Sequence, residues 1–363
     1  GVLRKKSTKG GAKKRYFYLK GSVMYYYIDS KTDVPRGLMY LPAKLIKKDV
    51  IGGKHAIVVY SCGDVFEHKK LFAANEHERD QWFDAMLKAA KNTDVMQRFN
   101  MKETLGVGKY STVRKAYLKS DVTQTAAVKI ISTKNFTENE REYILNEMSI
   151  LKAINHPSVP KVFGVHETPE RLYIVMELIK DGELFDYFAE SRRLQLNEAS
   201  RIVHKLMNIV KYLKELKIMH RDLKCENILI SKNGKGKLKN IYLIDFGLSR
   251  FLDSRDKVTN KLGTLGYCAP EVILKEAYNE SVDVWGVGII YYLLITGKLP
   301  FDSKYDSEII DKTVKKPLPL DDKILEEVDS SVTKFLDRAL QKKASDRMTI
   351  EECLNAFSPI LEL

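Results

Sequence analysis

The sequence predicts an α+β protein of more than one domain, in which an antiparallel β-sandwich or barrel capped by one helix precedes a larger domain of mixed helices and strands. The chain has 363 residues, enough for about two or three domains. Short strand-like runs crowd residues 1–73, and a single amphipathic helix follows them. We therefore expect the first domain to cover residues 1–92.

The first domain is predicted from seven runs rich in β-branched and aromatic residues, separated by clusters of Gly, Asp, Ser and Lys. The runs are Val2–Lys5, Tyr16–Lys20, Val23–Ile28, Gly37–Leu41, Ala56–Tyr60, Val65–Glu67 and Lys70–Ala73. Glu76–Lys91 then places Trp82, Phe83, Met86 and Leu87 at helical spacing. One helix after several strands would cap the open end of a small barrel.

Several residues of this domain carry a family resemblance. They are Gly1-Val2-Leu3, Lys14-Arg15-Tyr16-Phe17-Tyr18-Leu19, Tyr25-Tyr26-Tyr27, Pro35-x-Gly37 and Trp82. The segment is similar to the pleckstrin-homology (PH) domain over its whole length. The resemblance implies a phosphoinositide site at Lys5, Lys13 and Arg15, beside the small residues of Ser7–Gly11, whose N–H groups would approach phosphates. Many PH folds instead bind protein partners, and this alternative stays open.

Positive charge is concentrated at the start of the chain. The net charge is +13, and residues 1–97 hold 19 Lys and Arg against 10 Asp and Glu. Each basic residue near an anionic leaflet adds about 1 kcal/mol of attraction. We expect no nucleic acid partner, because Tyr16, Phe17 and Tyr18 alternate too strictly with core positions to form a stacking platform. The prediction is a cytoplasmic protein that associates peripherally with anionic membranes.

The cysteines and the apolar runs favour an intracellular protein. The four cysteines are Cys62, Cys225, Cys268 and Cys353, and none forms a Cys-x-x-Cys pair. Val287–Ile295 is the most apolar stretch; it is too short to cross a bilayer and predicts a buried helix. Because residue 1 is Gly rather than Met, targeting or lipidation signals ahead of it are left open.

A short linker is expected between the domains. The helix should end near Lys91 and the next strand should begin near Phe99, which leaves residues 93–98 outside either domain. Seven extended residues from Asn92 span at most roughly 25 Å. The second domain is expected to run from residue 99 to residue 363.

The second domain is organised around the run His220-Arg221-Asp222-Leu223-Lys224-Cys225-Glu226-Asn227. Apolar residues recur at helical spacing before it, from Ile202 to Leu213. Ile228–Ile230 and Lys237–Ile244 predict a hairpin after it. The run therefore lies in a loop between a buried helix and a hairpin, where catalytic groups are often held.

This run and Asp245-Phe246-Gly247, eighteen residues past Asn227, resemble the catalytic and metal-binding loops of protein kinases. The resemblance implies a bilobal protein-kinase fold and phosphoryl transfer. Asp222 would accept the proton of the substrate hydroxyl, and Lys224 would stabilise the transferring phosphoryl group. Asn227 and Asp245 would bind Mg²⁺ through oxygen atoms. Lys224 together with Thr264 indicates a serine/threonine kinase.

The same resemblance implies a nucleotide site. Leu105–Val113 is similar to the kinase Gly-rich loop, and Lys129 on the following strand would pair with the α- and β-phosphates. Glu147 would hold Lys129, with Glu142 as the less favoured candidate. The expected contacts to ATP are Gly106, Gly108, Ser111, Val113, Ala127, Lys129, Met176, Glu177, Leu178, Glu183 and Leu229.

The activation segment departs from the family pattern. The position that is usually phosphorylated, four residues before Thr264, is Asn260. Arg221 and Arg250 would then lack their usual anionic partner. Either the segment is ordered without phosphate, which we favour, or Thr259 beside it is phosphorylated.

Gly182–Phe185 and Leu262–Tyr267 are similar to the calmodulin-kinase group, and the whole chain resembles PH-domain-bearing calcium-dependent protein kinases. The chain holds no EF-hand loop, so calcium would act only through segments absent from it. The resemblance implies ATP and Mg²⁺ as cofactors and Ser/Thr proteins as substrates, and Glu183 and Glu226 would select basic residues. Two alternatives stay open: a lipid-binding pseudokinase scaffold, and a PH domain that autoinhibits the kinase or binds proteins.

Overall fold

The computed structural model describes Gly1–Glu362 except residues 8–9, 21–22, 31–35, 42–44, 62–63, 92–94, 109–110, 133–137, 168–170, 253–257, 260–261 and 321–322. The described residues form two compact units. One unit joins Gly1–Leu145 to Val162–Leu178, and the other joins Asn146–Lys161 to Ile179–Leu363. Both contain helices and strands, which confirms the α+β multidomain class.

The first unit opens with an antiparallel sheet whose strands alternate apolar and polar residues, so that each strand buries one face. The strands are β1 (Val2–Ser7), β2 (Gly10–Lys20), β3 (Val23–Tyr27), β4 (Gly37–Tyr40), β5 (Leu45–Ile51), β6 (Lys54–Ser61) and β7 (Asp64–Phe72). They are hydrogen-bonded in the order β4-β3-β2-β1-β7-β6-β5. Successive strands are neighbours except β4 and β5, which lie at opposite edges of the sheet, and β1 and β7 pair with each other to join its two halves.

Helix α1 (Glu76–Lys91) contributes to the core of this sheet and confirms the predicted capping helix. Met86 of α1 is fully buried in one cluster with Leu3, Phe17 and Leu71 from the strands. Trp82 packs against the same cluster and meets the ring of Phe17 edge-on, with ring centroids 6.4 Å apart. The helix therefore covers the apolar face that the strands present.

Two strand predictions differ from the structure. Leu45–Ile51 was not predicted as a strand, because three consecutive charged residues, Lys47-Lys48-Asp49, interrupt its apolar pattern. Val65–Glu67 and Lys70–Ala73 were predicted as separate strands, yet the pairing with β6 continues through His68 and makes them a single strand, β7. A strand that buries only one face can contain several charged residues, and its apolar pattern is then too weak to be recognised in the sequence.

The first unit also contains a five-stranded antiparallel sheet. Its elements are α2 (Val95–Arg98), β8 (Phe99–Val107), β9 (Ser111–Leu118), β10 (Asp121–Ser132), β11 (Val162–Glu167) and β12 (Arg171–Met176). The strand order is β11-β12-β10-β9-β8. Val95, within the segment expected to be a linker, is buried with Ala116, Val128 and Val175 in the core of this sheet.

The second unit is mainly helical. Its helices are α3 (Glu138–Ala153, from Asn146 onward), α4 (Leu184–Ser191), α5 (Leu196–Glu215), α6 (Pro270–Ile273), α7 (Ser281–Thr296), α8 (Asp306–Lys315), α9 (Lys323–Glu326), α10 (Ser330–Ala339) and α11 (Ile350–Phe357). Its strands are β13 (Ile218–Met219), β14 (Ile228–Lys232), β15 (Leu238–Leu243) and β16 (Arg250–Phe251). β13 pairs with β16 and β14 with β15, so the predicted helix and hairpin around residues 220–227 are confirmed.

Helix α7 is the centre of the second unit, because every residue from Val282 to Thr296 is buried. Gly286 lets the catalytic loop approach the helix backbone, since a Cβ at this glycine would lie 2.9 Å from the Cβ of Leu223. The buried helix predicted from Val287–Ile295 is thus confirmed. Among the described helices, none is long and apolar enough to cross a membrane.

Candidate active site

A buried carboxylate fixes the loop that follows β13. Asp283, in the first turn of α7 and only 2% exposed, accepts hydrogen bonds from the backbone N–H groups of His220 and Arg221, each at 2.8 Å. Burial raises the pKa of Asp283, while His220 and the two N–H donors oppose that shift. Because Arg221 has a φ of +70°, the backbone turns sharply immediately before Asp222.

Three of the predicted catalytic side chains contact the carboxylate of a fourth, Asp222. The Thr264 hydroxyl donates to Oδ1 at 2.8 Å, and Asn227 Nδ2 donates to Oδ2 at 3.0 Å. Lys224 Nζ lies 3.2 Å from Oδ2 and donates to the Thr264 hydroxyl at 2.8 Å. Asp222 is 8% exposed, so these contacts hold a charged carboxylate in one orientation in a largely dry site.

The sequence did not indicate the role of the His220 ring. Its Nε2 lies 3.1 Å from the carbonyl oxygen of Ile244, and the ring meets Phe246 edge-on with centroids 5.1 Å apart. The Ser249 hydroxyl donates to the His220 carbonyl at 3.2 Å. Through these contacts the catalytic loop is joined to the segment that contains Asp245.

The predicted magnesium ligands are adjacent in the fold. The N–H of Ile244 donates to the carbonyl of Asn227 at 2.9 Å, and Asp245 is the next residue. The Asn227 amide nitrogen is used by Asp222, donating to its carbonyl at 2.8 Å as well as to its carboxylate, which leaves Asn227 Oδ1 as the ligand atom. Asp245 adopts a left-handed conformation, with φ +61°, and its Oδ1 accepts from Gly247 N–H at 3.3 Å.

These two oxygen donors fit magnesium, which binds proteins through one or two carboxylates and takes its remaining ligands from phosphates and water. No cluster of three or more His, Cys, Asp or Glu side chains suited to a metal occurs in the part of the chain that the structure describes. The site is therefore suited to a metal that arrives with a phosphate ligand rather than to a resident metal with a full protein ligand set.

Glu147 lies beside the metal-binding loop within the second unit. It is 5% exposed on α3, and a Cβ at Gly247 would be 3.8 Å from its Oε2. The neighbouring Asn146 donates to the carbonyl of Ser249 at 2.5 Å. Lys129 belongs to the first unit, so the ion pair between Lys129 and Glu147 stays a prediction. Glu142, the less favoured candidate, has a side chain outside the described residues.

The predicted nucleotide residues of the first unit lie on β8, β9, β10 and β12. Gly106 pairs with Val113 across β8 and β9, and the Gly108 N–H donates to the Ser111 carbonyl at 2.8 Å. Residues 109 and 110, which separate Gly108 from Ser111 in the sequence, lie outside the described residues. A Cβ at Gly108 would be 3.0 Å from the Ser111 hydroxyl, so a larger residue there would require the Ser111 side chain to move.

The strand that carries Lys129 is held between two others. Val113 of β9 is opposite Lys129 of β10, and Ala127 of β10 is opposite Met176 of β12. Glu177 and Leu178 follow β12 directly and are half-buried. The register therefore places the small Ala127, the predicted gatekeeper Met176 and the predicted hinge at successive positions of one sheet.

Glu183 and Leu229, the predicted nucleotide residues of the second unit, are opposite each other in an isolated antiparallel bridge. Burial raises the pKa of Glu183, and the charges of Asp186 and Glu226 raise it further. Oε2 of Glu226 is buried and has no hydrogen-bond partner within the described structure. Of the charges that act on Glu183, that of Lys224 alone lowers its pKa, and neighbouring acidic groups of this kind favour binding of a cation.

In the seven-stranded sheet, the register of β1 and β2 defines the face that carries the predicted lipid residues. Lys5 is opposite Lys13 and Leu3 is opposite Arg15, and opposite residues of an antiparallel pair share a face. Leu3 is buried in the core, so the three basic residues continue the inner face of the sheet. Lys14 alternates with them and belongs to the outer face.

Tyr26 interacts with several basic residues near this face. Lys5 Nζ lies 3.9 Å from the centroid of the Tyr26 ring. A hydrogen bond with Lys5 lowers the pKa of Tyr26, and the charges of Lys5, Lys69 and Arg36 act in the same direction. Lys69 and Arg36 were not predicted. They could have been recognised only from the strand register, because no local motif contains them. Residues 8 and 9, within the predicted phosphate-binding segment Ser7–Gly11, lie outside the described residues.

Comparison with known proteins identifies two domain families in the chain. Residues 1–91 match the PH domain family, and residues 99–357 match the protein kinase domain family. The calcium/calmodulin-dependent protein kinase type 1 of Macrobrachium nipponense is 31% identical over 290 residues, which cover 80% of this chain and 81% of that protein. The type 1B enzyme of Rattus norvegicus is 33% identical over 270 residues, 74% of this chain and 77% of that protein.

A third relative, the calcium/calmodulin-dependent protein kinase cmkA of Emericella nidulans, is 34% identical over 257 residues, 70% of this chain and 61% of that protein. These similarities confirm the resemblance to the calmodulin-kinase group. ATP and Mg²⁺ are the cofactors of the family to which the second domain belongs. The chain therefore belongs to the protein kinase family, as a serine/threonine protein kinase that carries a PH domain ahead of its kinase domain.

Proposed function

We propose that this kinase transfers phosphate to Ser or Thr hydroxyls with Asp222 as the proton acceptor, and that its PH domain recruits it to phosphoinositide-containing membranes. The observation that carries the catalytic proposal is the contact of Thr264, Lys224 and Asn227 with the Asp222 carboxylate. A pseudokinase scaffold would not require this arrangement, and we therefore place that alternative second.

Asp222, Lys224 and Thr264 would each have a different role in the reaction. Asp222 would orient the substrate hydroxyl and accept its proton as the new bond to phosphorus forms. The ammonium of Lys224 would face the transferring group and stabilise its negative charge. The Thr264 hydroxyl would keep Lys224 and Asp222 at a fixed separation. Because these contacts exist before substrate binds, little reorganisation is needed during transfer.

Asn227 and Asp245 would hold magnesium bound to ATP, and the metal supplies neutralisation of the phosphate charge. On the first unit we assign the Gly106–Ser111 loop, Val113, Ala127, Lys129 and the backbone after Met176 to nucleotide binding. Glu177 and Leu178 would offer backbone groups to adenine, and Glu183 and Leu229 would bind the nucleotide from the second unit. Lys129, held by Glu147, would contact the α- and β-phosphates.

We further propose that peptide substrates carry a basic residue near the phosphorylated hydroxyl. The support is the buried Oε2 of Glu226, which has no hydrogen-bond partner among the described residues. Glu183 lies near it, and its pKa is raised by burial and by the negative charges of Asp186 and Glu226, which a bound cation would neutralise. An arginine guanidinium would supply the missing donors and relieve the repulsion between the two acids. Glu226→Gln should therefore raise KM for a basic peptide more than for a neutral one.

The membrane proposal is supported by the position of Lys5, Lys13 and Arg15 on one face of the PH sheet. Basic groups that converge on one face can bind several phosphates of one headgroup at once. At about 1 kcal/mol for each basic residue near an anionic surface, loss of one should weaken vesicle binding about fivefold. Charge reversal should weaken it more.

The catalytic experiment is transfer of radiolabelled phosphate from ATP to a basic peptide by the wild type and by Asp222→Asn. A positioned general base contributes about 10²- to 10⁴-fold to the rate, so the variant should lose at least that lower factor. Both proteins should retain the same ATP affinity. Equal rates in the wild type and Asp222→Asn would refute the assignment of Asp222.

The membrane experiment uses the full chain and vesicles that contain phosphatidylinositol bisphosphate. Lys13→Glu changes the inner face, and Lys14→Glu makes the same charge change on the outer face as a matched control. We expect Lys13→Glu to bind vesicles much more weakly than Lys14→Glu. Equal binding by both variants would indicate non-specific attraction. Stimulation of the kinase by Lys13→Glu without vesicles would instead favour an autoinhibitory PH domain.

A further inference from the structure

Tyr278 is a buried tyrosine between α6 and α7 that contacts both the catalytic loop and the activation segment. Its hydroxyl lies 3.3 Å from Nη1 of Arg221. Its backbone N–H donates to the carbonyl of Val258 at 3.0 Å, and the two residues form an isolated antiparallel bridge. Tyr278 is 6% exposed and Val258 is 1% exposed, so their backbone contact is shielded from water, while the contact with Arg221 is partly buried.

Arg221 connects this tyrosine to the proton acceptor. It precedes Asp222 in the chain, its backbone N–H is bound to Asp283, and its Nε donates to the carbonyl of Leu248 at 2.6 Å. The left-handed conformation of Arg221 is unfavourable for a residue with a side chain and must be held by surrounding contacts. The Arg221 side chain is therefore one of the constraints that fix the backbone at Asp222.

The activation segment contacts the same loop again further along. Gly263 has a φ of +107°, and a Cβ there would lie 3.0 Å from the carbonyl oxygen of Arg221. Thr264 follows with its hydrogen bond to Asp222. The segment is thus attached at Val258 and again at residues 263–264. The contacts named here use backbone groups, hydroxyl groups and the Arg221 guanidinium. Asn260 lies between them, outside the described residues.

We propose that Tyr278 is a positioning residue that acts through Arg221, and that its hydroxyl performs the task for which many protein kinases use a phosphate on the activation segment. The inference rests on the proposed phosphoryl transfer by Asp222. Its consequence is that the unphosphorylated chain is active, and that Thr259, which is exposed, has no role in activation.

The test compares Tyr278→Phe with Tyr291→Phe, made in the full chain. Each variant removes one hydroxyl from a buried tyrosine, and the hydroxyl of Tyr291 bonds to Ser200 within the core instead of to Arg221. The bond between Tyr278 and Arg221 is long, at 3.3 Å, and only partly buried, so we assign it the strength of a neutral hydrogen bond, about a 3- to 10-fold effect on a rate. We expect Tyr278→Phe to lower kcat by that factor with KM for ATP unchanged. Tyr291→Phe should leave kcat unchanged.

Two further measurements complete the test. Thr259→Ala and phosphatase-treated wild type should both retain full kcat. Hydrogen exchange of residues 262–266 should be faster in Tyr278→Phe than in Tyr291→Phe, and this readout does not require catalysis.

The results separate the positioning role of Tyr278 from the independence of activity from phosphorylation. Equal kcat and equal exchange in the two tyrosine variants would overturn the role of Tyr278. Loss of kcat in Thr259→Ala or after phosphatase treatment would overturn the independence from phosphate. Absence of transfer by the wild type, with faster exchange only in Tyr278→Phe, would instead count against the proposed catalytic function and leave the positioning contact supported.

Discussion

Thr264 offers the sharpest test of the catalytic geometry, because its hydroxyl is shared by two charged groups. It donates to Asp222 Oδ1 and accepts from Lys224 Nζ, both at 2.8 Å. Thr264→Val keeps the branched shape of the side chain and removes both hydrogen bonds. The nearby Asn227 contact to Asp222 should survive this change.

The size of the effect follows from these contacts. A hydrogen bond to a charged group contributes about 1.5–3 kcal/mol. Two are lost in Thr264→Val, but Lys224 also touches Asp222 directly at 3.2 Å and can compensate for part of the loss. We therefore expect a net effect equal to one such bond, which lowers kcat by about 10- to 150-fold. KM for ATP should change little, since neither side chain is assigned to the adenine.

The assay is steady-state transfer from ATP to a basic peptide, with thermal unfolding measured on the same samples. Thr264→Ser, which keeps the hydroxyl, is the matched control and should stay close to the wild type. If Thr264→Val retained kcat within about twofold of Thr264→Ser, the shared hydroxyl would have no catalytic role. A parallel loss of thermal stability in both variants would assign the effect to folding instead.

Three further predictions concern other parts of the second unit. Asp283→Asn should lower kcat and the unfolding temperature, because an amide can accept only one of the two backbone N–H bonds and leaves a buried donor unpaired, at about 1–3 kcal/mol. Arg347→Met should lower the free energy of unfolding in urea by about 3–5 kcal/mol, because it leaves the buried Glu271 without its bidentate partner. Burial raises the pKa of Cys353 to about 12, so iodoacetamide at pH 8 should modify it only after unfolding, as measured by mass spectrometry.

Each of these predictions has a result that would contradict it. Unchanged kcat in Asp283→Asn would show that the catalytic loop does not depend on this carboxylate. Lys315→Met breaks an exposed ion pair and should cost about 0–1 kcal/mol; an equal loss in Arg347→Met would remove the argument from burial. Rapid alkylation of Cys353 in the folded protein would show that the thiol is accessible.

The sequence was sufficient to predict which residues cluster around Asp222, because their identities and spacing follow from the chemistry that we propose for them. Asp222, Lys224 and Asn227 lie within six residues of one another, and a single loop brings them together. Thr264 is far away in sequence, yet the structure places it on Asp222 as expected. The fold class was also predictable, since alternating strands and amphipathic helices leave a clear periodicity.

Some contacts could not be predicted from the sequence, because they join residues that are far apart in the chain and belong to no recognised motif. The hydroxyl of Tyr278 reaches Arg221 across a sequence separation of 57 residues. The burial of Glu226 Oε2 depends on how α4 and the catalytic loop pack, and neither segment predicts it alone. The charges of Lys69 and Arg36 act on Tyr26 from segments that are distant in the sequence. In each case the local pattern fits an ordinary exposed polar residue equally well.

The buried helix α7 restricts which amino-acid substitutions this domain can tolerate. Its glycine at Gly286 accommodates Leu223 from the catalytic loop, and Asp283 one turn earlier holds the loop backbone. A methyl group added at Gly286 would meet Leu223 at 2.9 Å and displace the residue beside Asp222. Natural variation here is therefore restricted by catalysis even though the helix touches no substrate. Tolerance should be lowest in the interior of the domain, while its exposed surface remains free to diverge.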